Sequence, residues 1–302
     1  MKIIFFGTPD FAIPCAEIIL KHHSLLAVVT AVDKPAGRGH QLNESAVKKW
    51  AIQQNVPILQ PPNLKSEKFL EKLRKFNADA FVVVAFRMLP EIVWNMPPLG
   101  TYNIHASLLP DYRGAAPIQR AIMAGEEITG VTCFKLRHEI DEGDIVLQKV
   151  VPILPTDTGN SLHDKLSIFG AELLKESLDL IQRGNLAFIS QSSHSTKFAA
   201  KIHPDDLIIN WNQTCSQVYN FIRALSPYPT ARTLYGNEQY KIYSTEFSNL
   251  SEPGEPGFWK IDFALRNFYI RCKDGWLRII DLQVPSKKRM SASDFINGLK
   301  NK

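Results

Sequence analysis

Short apolar runs alternate with segments of helical period through the first third of the chain, and this alternation constrains the fold more than any other feature. Lys2–Phe6, Leu25–Thr30, Ala80–Ala85 and Tyr102–His105 have the length and composition of buried strands. Between some of them, Phe11–His22, Asn43–Gln54 and Ser66–Phe76 carry helical patterns. That order implies an α/β domain with a doubly wound, mainly parallel, Rossmann-like sheet. Thr129–Leu136 and Ile145–Val151 add strands on either side of a polar turn at Asp141–Gly143, and Thr158–Arg183 reads as a long helix stopped before Gly184.

The expected first domain spans residues 1–189. Residues 190–206 form a linker, since Gln191-Ser192-Ser193-His194-Ser195 and its surroundings lack a period. Residues 207–302 make a second domain, because 302 residues are enough for two. It opens with a helix at Thr214–Leu225. The short aromatic and β-branched runs Ala231–Tyr235, Gln239–Phe247, Phe268–Cys272 and Trp276–Val284 follow, punctuated by glycines, and predict a small β-barrel. Trp211, Trp259 and Trp276 are expected in its core.

Several chemistries are disfavoured at the motif level. The first strand-to-helix turn reads Gly7-Thr8-Pro9-Asp10-Phe11, without the Gly-x-Gly-x-x-Gly that brings backbone against a dinucleotide pyrophosphate. Gly37-Arg38-Gly39 has no phosphate-loop continuation, and the nucleophile elbow Gly-x-Ser-x-Gly is missing. Cys15, Cys133, Cys215 and Cys272 are far apart with no His at zinc-ligand spacing, so reduced core thiols and no metal are expected. The apolar start runs straight into Gly7-Thr8-Pro9, unlike a signal peptide, and no apolar run approaches the roughly 20 residues of a membrane span. We expect a soluble, cytoplasmic, monomeric protein with no membrane partner.

The stretch Tyr102-Asn103-Ile104-His105-Ala106-Ser107-Leu108-Leu109-Pro110 carries the chemistry. Alternation on a strand points Asn103 and His105 the same way, so both can offer hydrogen-bond donors to one small volume. A developing oxyanion in acyl or formyl transfer needs such a pair. A turn-capping Asn beside a partly buried His would produce the same spelling.

Phe6-Gly7-Thr8-Pro9-Asp10-Phe11, Asp33-Lys34-Pro35-Ala36-Gly37-Arg38-Gly39, Asn103-Ile104-His105, Ser107-Leu108-Leu109-Pro110, Arg113-Gly114-Ala115-Ala116-Pro117-Ile118-Gln119 and Ile140-Asp141-Glu142-Gly143-Asp144 occur in that order. Arg223-Ala224-Leu225-Ser226-Pro227-Tyr228-Pro229 extends the series. In this ordered set the chain resembles the folate-dependent formyltransferases over nearly its whole length, most closely those acting on methionyl initiator tRNA. The resemblance implies 10-formyltetrahydrofolate as co-substrate, no metal, methionyl initiator tRNA as partner, and a C-terminal barrel of the oligonucleotide-binding (OB-like) type that holds the tRNA. It assigns Asn103, His105 and Asp141 as the catalytic trio, with Asp144 as the competitor for the acidic place. It also assigns Ser107, Leu108, Leu109 and Pro110, with Phe86, Arg87, Met88 and Leu89, to the folate pocket. Arg113 could reach an anionic group or lie on the surface.

Residues 1–190 hold 20 Lys or Arg against 20 Asp or Glu, while residues 191–302 hold 15 against 10, so the whole formal charge of +5 lies in the last part. That asymmetry suits a polyanionic partner. Lys287, Lys288 and Arg289 form the densest cationic run, placed to track phosphates or to solvate a turn. The polar, Gly- and Pro-containing segment Asp33–His40 carries Lys34 and Arg38. The resemblance implies that it enters the tRNA acceptor end, with Arg38 as its key cation and Lys34 where the family often has Arg. A sugar-nucleotide formyltransferase would share the trio but not this basic apparatus.

Overall fold

The computed structural model describes residues 1–36, 41–184, 186–192, 197–236 and 238–300. The chain begins β1 (Lys2–Gly7), α1 (Ile13–His22), β2 (Ser24–Val29), β3 (Lys34–Ala36), β4 (Gln41–Asn43), α2 (Ala46–Gln53), β5 (Ile58–Leu59), α3 (Glu67–Lys75) and β6 (Ala80–Val84). It continues through α4 (Glu91–Trp94), β7 (Thr101–His105), β8 (Arg113–Gly114), α5 (Pro117–Met123), β9 (Ile128–Lys135), β10 (Ile145–Pro152), α6 (Gly159–Arg183) and β11 (Phe198–Ala199). The remainder is α7 (Cys215–Ala224), β12 (Ala231–Tyr235), β13 (Glu238–Phe247), β14 (Trp259–Asp262), β15 (Asn267–Arg271), β16 (Trp276–Gln283), β17 (Met290–Ser291) and α8 (Ala292–Lys300). Two compact units emerge, one from Met1–Gly114, Ile128–Pro152 and His163–Phe198, the other from Ala115–Glu127, Ile153–Leu162 and Ala199–Lys302. The division is therefore not a single cut along the chain.

In the first unit a seven-stranded sheet runs β10-β9-β7-β6-β1-β2-β5. The β1–β2, β1–β6, β2–β5 and β6–β7 pairings are parallel, and β9 and β10 are added antiparallel. Residues 3–7 of β1 and all of β6 are buried or nearly so, which is why these strands are apolar without alternation. The chain order reverses direction between β1 and β6, the kind of point outside which open α/β sheets bind ligands. On one face Ile4, Phe6, Val29, Phe81 and Val83 pack against Phe69, Leu70 and Leu73, the apolar stripe of α3.

The other face is fixed locally by a glycine. A Cβ on Gly170 of α6 would lie 3.0 Å from the Ile104 side chain, so the bare backbone lets the helix sit on Ile104. Tyr102 and Ile104 are buried, and alternation then sends Asn103 and His105 to the opposite side of β7.

The helix expected at Asn43–Gln54 begins later than its pattern suggested. Ser45 caps α2 by accepting a hydrogen bond from the Lys48 amide (3.0 Å), and Asn43 pairs with Lys34 as the last residue of β4. Cys15, Cys133 and Cys272 are buried free thiols. Burial pushes the Cys133 thiol up to about 12 and holds it protonated.

The second unit holds an antiparallel sheet ordered β12-β13-β16-β15-β14, with β17 paired to β16. Its end strands are joined by side chains: Tyr235 of β12 stacks on Trp259 of β14 with ring centroids 4.2 Å apart. This gives the partly open barrel form of OB-like domains. Ile242, Phe268, Ile270, Leu277 and Ile279 fill the core, together with Val218 and Ile222 of α7 and Phe295 and Ile296 of α8. Trp211 and Trp276 are buried as expected, their indole N–H groups donating to Thr233 Oγ1 (2.8 Å) and the Glu252 carbonyl (2.9 Å). No helix among the described residues is long and apolar enough to cross a membrane.

Candidate active site

His105 ends β7 in register with Thr132 of β9, while Asn103 lies opposite Phe134. The His105 Nε2 donates to the Tyr112 carbonyl (2.9 Å), so that nitrogen carries a hydrogen, and Nδ1 faces Asp141 Oδ2 at 3.8 Å. The same carboxylate oxygen accepts from the Gly114 amide at 3.0 Å. The Asn103 side chain has no hydrogen-bond partner among the described residues. Of the two expected oxyanion donors, the amide is therefore unengaged and the imidazole already holds an acceptor.

Asp141 sits in the loop between β9 and β10 with φ 56°, a left-handed conformation disfavoured for L-residues, though less so for Asp and Asn than for others. Gly143 helps to fix the loop, since a Cβ there would come within 1.7 Å of the Lys135 carbonyl oxygen. Asp144, three residues on from Asp141, turns away. Its carboxylate pairs with Arg137 and accepts from Ser190 Oγ at 3.3 Å.

A buried polar hub shapes the segment after His105. The Thr132 hydroxyl donates to the Ser107 carbonyl (2.6 Å) and accepts from the Leu109 amide (3.1 Å) and Gln148 Nε2 (2.9 Å). Gln148 also donates to the Leu109 carbonyl at 2.8 Å. Ser107 and Leu109 are buried, and the Ser107 hydroxyl donates to the Asp111 carbonyl at 2.6 Å. Leu108 rests on Gly130, where a Cβ would come within 2.4 Å of its side chain. The side chains of Ser107 and Leu109 thus build the segment, and Pro110, after a cis peptide bond, is partly exposed at its end.

An open cleft of 1140 Å³ is lined among others by Arg87, Met88, Leu89, Trp94, Ile140 and Glu142; Asn103, His105, Asp141 and Ser107–Pro110 are not among its lining residues. Met88 is 68% exposed, and Ile92 and Ile140 of the same lining are exposed as well. Arg87 is held by the Pro61 and Pro62 carbonyls, and Phe86 packs edge-on against Phe6 in the core. Arg87, Met88 and Leu89 thus line the cleft directly, and Phe86 supports it.

Arg113 is buried and reaches an anionic group of the protein itself, the Glu142 carboxylate. It is 8% exposed and its guanidinium is engaged by Gln191, Glu142 and Ser192. Gln191, read as linker, belongs to the site. Its one sequence signal is a polar residue in an aperiodic stretch, which does not distinguish it.

Lys34 is exposed at the start of β3, and Arg38 lies outside the described residues. Lys287 and Lys288 are exposed with no anionic partner among the described residues, whereas Arg289 pairs with Asp281 and stacks on Tyr243 at 4.5 Å.

Residues 1–178 match the family model described as formyl transferase, and residues 201–300 match the formyl transferase C-terminal domain. The chain belongs to the formyl transferase family. Within it, the methionyl-tRNA formyltransferase of Parabacteroides distasonis is 44% identical over 99% of this chain and 96% of that protein. The protein of the same name from Flavobacterium johnsoniae is 41% identical over 99% and 96%. Solved formyl transferases share the fold. The methionyl-tRNA formyltransferase from Clostridium thermocellum superposes with a TM-score of 0.58 at 17% identity, covering 82% of this chain and 94% of that one. The sugar 3N-formyl transferase WlaRD, solved with dTDP and 5-N-formyl-THF, gives 0.68 at 20% identity, covering 95% and 99%.

Proposed function

We propose that this formyl transferase moves the formyl group of 10-formyltetrahydrofolate to the α-amine of methionine on initiator tRNA. The observation that carries the reading is the relationship of more than 40% identity, across both domains, to proteins named methionyl-tRNA formyltransferase. The cleft at Met88, Leu89 and Ile140 suits a flat, largely apolar pterin with polar edges. The hub under Ser107–Pro110 holds the backbone that follows His105. The protein acts in the cytoplasm as a monomer, in keeping with a partner that is itself part of the translation apparatus.

An α-amine with a reference pKa of about 8 is partly neutral at working pH and attacks the formyl carbon directly, so neither a metal nor a covalent enzyme intermediate is required. The carbonyl π electrons move to oxygen and the C–N bond to the new amine forms. Asn103 donates to the resulting oxyanion from its unengaged amide. His105 adds its N–H by exchanging the Tyr112 carbonyl for this more strongly accepting charge. Collapse breaks the bond to N10 of the folate. The proton lost by the ammonium is the one N10 gains, and Asp141, beside His105, carries it through water.

Lys287, Lys288, Lys34 and Arg38 serve the tRNA, with Arg289 braced by Tyr243 and Asp281. Replacing Lys287 and Lys288 together by alanine should raise KM for tRNA, leave KM for folate unchanged, and reduce the salt slope of tRNA affinity by roughly one per lost contact. An unchanged slope would return these lysines to solvent. The reading as a whole is tested by following labelled formyl from 10-formyltetrahydrofolate into methionyl initiator tRNA. Folded protein that binds folate and transfers no label would overturn it.

A further inference from the structure

The loop that carries Asp141 is gripped by a residue pair from outside it. The Arg113 Nε and Nη2 both donate to Gln191 Oε1, at 3.1 and 2.8 Å. The Gln191 Nε2 donates in turn to the Asp141 carbonyl (2.9 Å) and the Gly143 carbonyl (2.7 Å). Every hydrogen-bonding position of that side-chain amide is used, two accepted and two donated. Arg113 also donates from Nη1 to Glu142 Oε1 (2.8 Å) and from Nη2 to the Ser192 carbonyl (3.3 Å), which ties it to the residue between the two gripped carbonyls.

We infer that Arg113 and Gln191 are positioning residues that hold Asp141 in its left-handed conformation, with its carboxylate against His105 and the Gly114 amide. The inference rests on the proposed role of Asp141. A left-handed backbone is disfavoured for an L-residue, and such a conformation persists where neighbours over-determine it. Here the neighbours are identifiable: Gly143 closes on Lys135, the Gly114 amide holds the carboxylate, and Gln191 holds the carbonyls on both sides of Glu142. A charged guanidinium fixed at low exposure makes the Gln191 grip stiff, since hydrogen bonds from an ionised donor are stronger than neutral ones. Neither residue is placed to touch the reacting atoms. Their effect passes through the geometry of Asp141.

Gln191→Leu removes the grip and Gln191→Glu keeps the acceptor for Arg113 while losing both donors. Each should lower kcat about tenfold to 100-fold, the usual consequence of misplacing a reacting group by about 1 Å. KM for folate should change less than kcat, because neither Arg113 nor Gln191 lines the cleft, although Ile140 and Glu142 of the gripped loop do. Arg113→Lys, which loses the guanidinium fork, should fall the same way, and either of the other variants serves if one fails to fold. The decisive readout is the double variant with Asp141→Asn. A residue acting through Asp141 adds little to a variant that already lacks the carboxylate, so the two losses should not multiply. Multiplying losses, or a normal kcat in folded Gln191→Leu beside an impaired Asp141→Asn, would overturn the positioning role alone. A normal Asp141→Asn would instead remove the proposed role of Asp141 itself.

Discussion

Asn103→Ala is expected to lower kcat for formyl transfer by about 100-fold or more, the loss that follows removal of one oxyanion donor. The magnitude follows from position. Asn103 lies on the side of β7 opposite Ile104, and its amide has no partner among the described residues to compete with a developing oxyanion. A donor free before the reaction contributes fully when charge develops, and its removal leaves the oxyanion without a replacement. Folding should be little affected, since Asn103 is only partly buried and its backbone bonds to neighbouring strands remain. His105→Ala should lose at least as much, because it removes a donor together with the partner of Asp141. Single-turnover rates with saturating folate check both, and near-normal rates would withdraw the oxyanion assignment.

The second large effect separates two neighbouring carboxylates. Asp141→Asn is expected to cost about 100-fold or more in kcat, because an amide carries no proton in the relay and no charge beside His105. Asp144→Asn should cost less than about threefold, since the Asp144 carboxylate is spent on Arg137 and Ser190 and bonds neither His105 nor the Gly114 amide. The two substitutions are isosteric and three residues apart, so a difference between them reports chemistry and not loop disruption. A larger loss at Asp144 would reverse the assignment.

Much of the first unit is legible because its central strands β1 and β6 are buried on both faces and its helices are amphipathic, which writes burial directly into composition. Elements without that imprint were missed. β5 is two residues long, and α8 carries Gly298 near its end and follows a two-residue strand. β14 is partly buried throughout and sits among charged residues. Asn103, His105 and Asp141 can be singled out from the sequence because the motifs around them are local. Gln191 and Arg113 cannot be paired in that way, because the bond that joins them spans 78 residues and neither neighbourhood hints at the other. The engagement of His105 Nε2 by Tyr112 was equally invisible, since it depends on the backbone turning at Tyr112 with φ 61°.

The two domains also differed in what could be read. Basic residues in the last part of the chain suggest a polyanion, but which of them are engaged is set by the fold: Arg289 is taken up by Asp281 and Tyr243, while Lys287 and Lys288 have no anionic partner among the described residues. The acceptor is therefore the central question. It is answered most directly by transfer from 10-formyltetrahydrofolate to methionyl initiator tRNA, methionyl elongator tRNA and an amino-sugar nucleotide, offered in parallel to the same protein. The account predicts product on the initiator tRNA and none on the sugar nucleotide. Product on the sugar nucleotide alone would contradict it, leaving the catalytic constellation in place and removing the tRNA from its acceptor site.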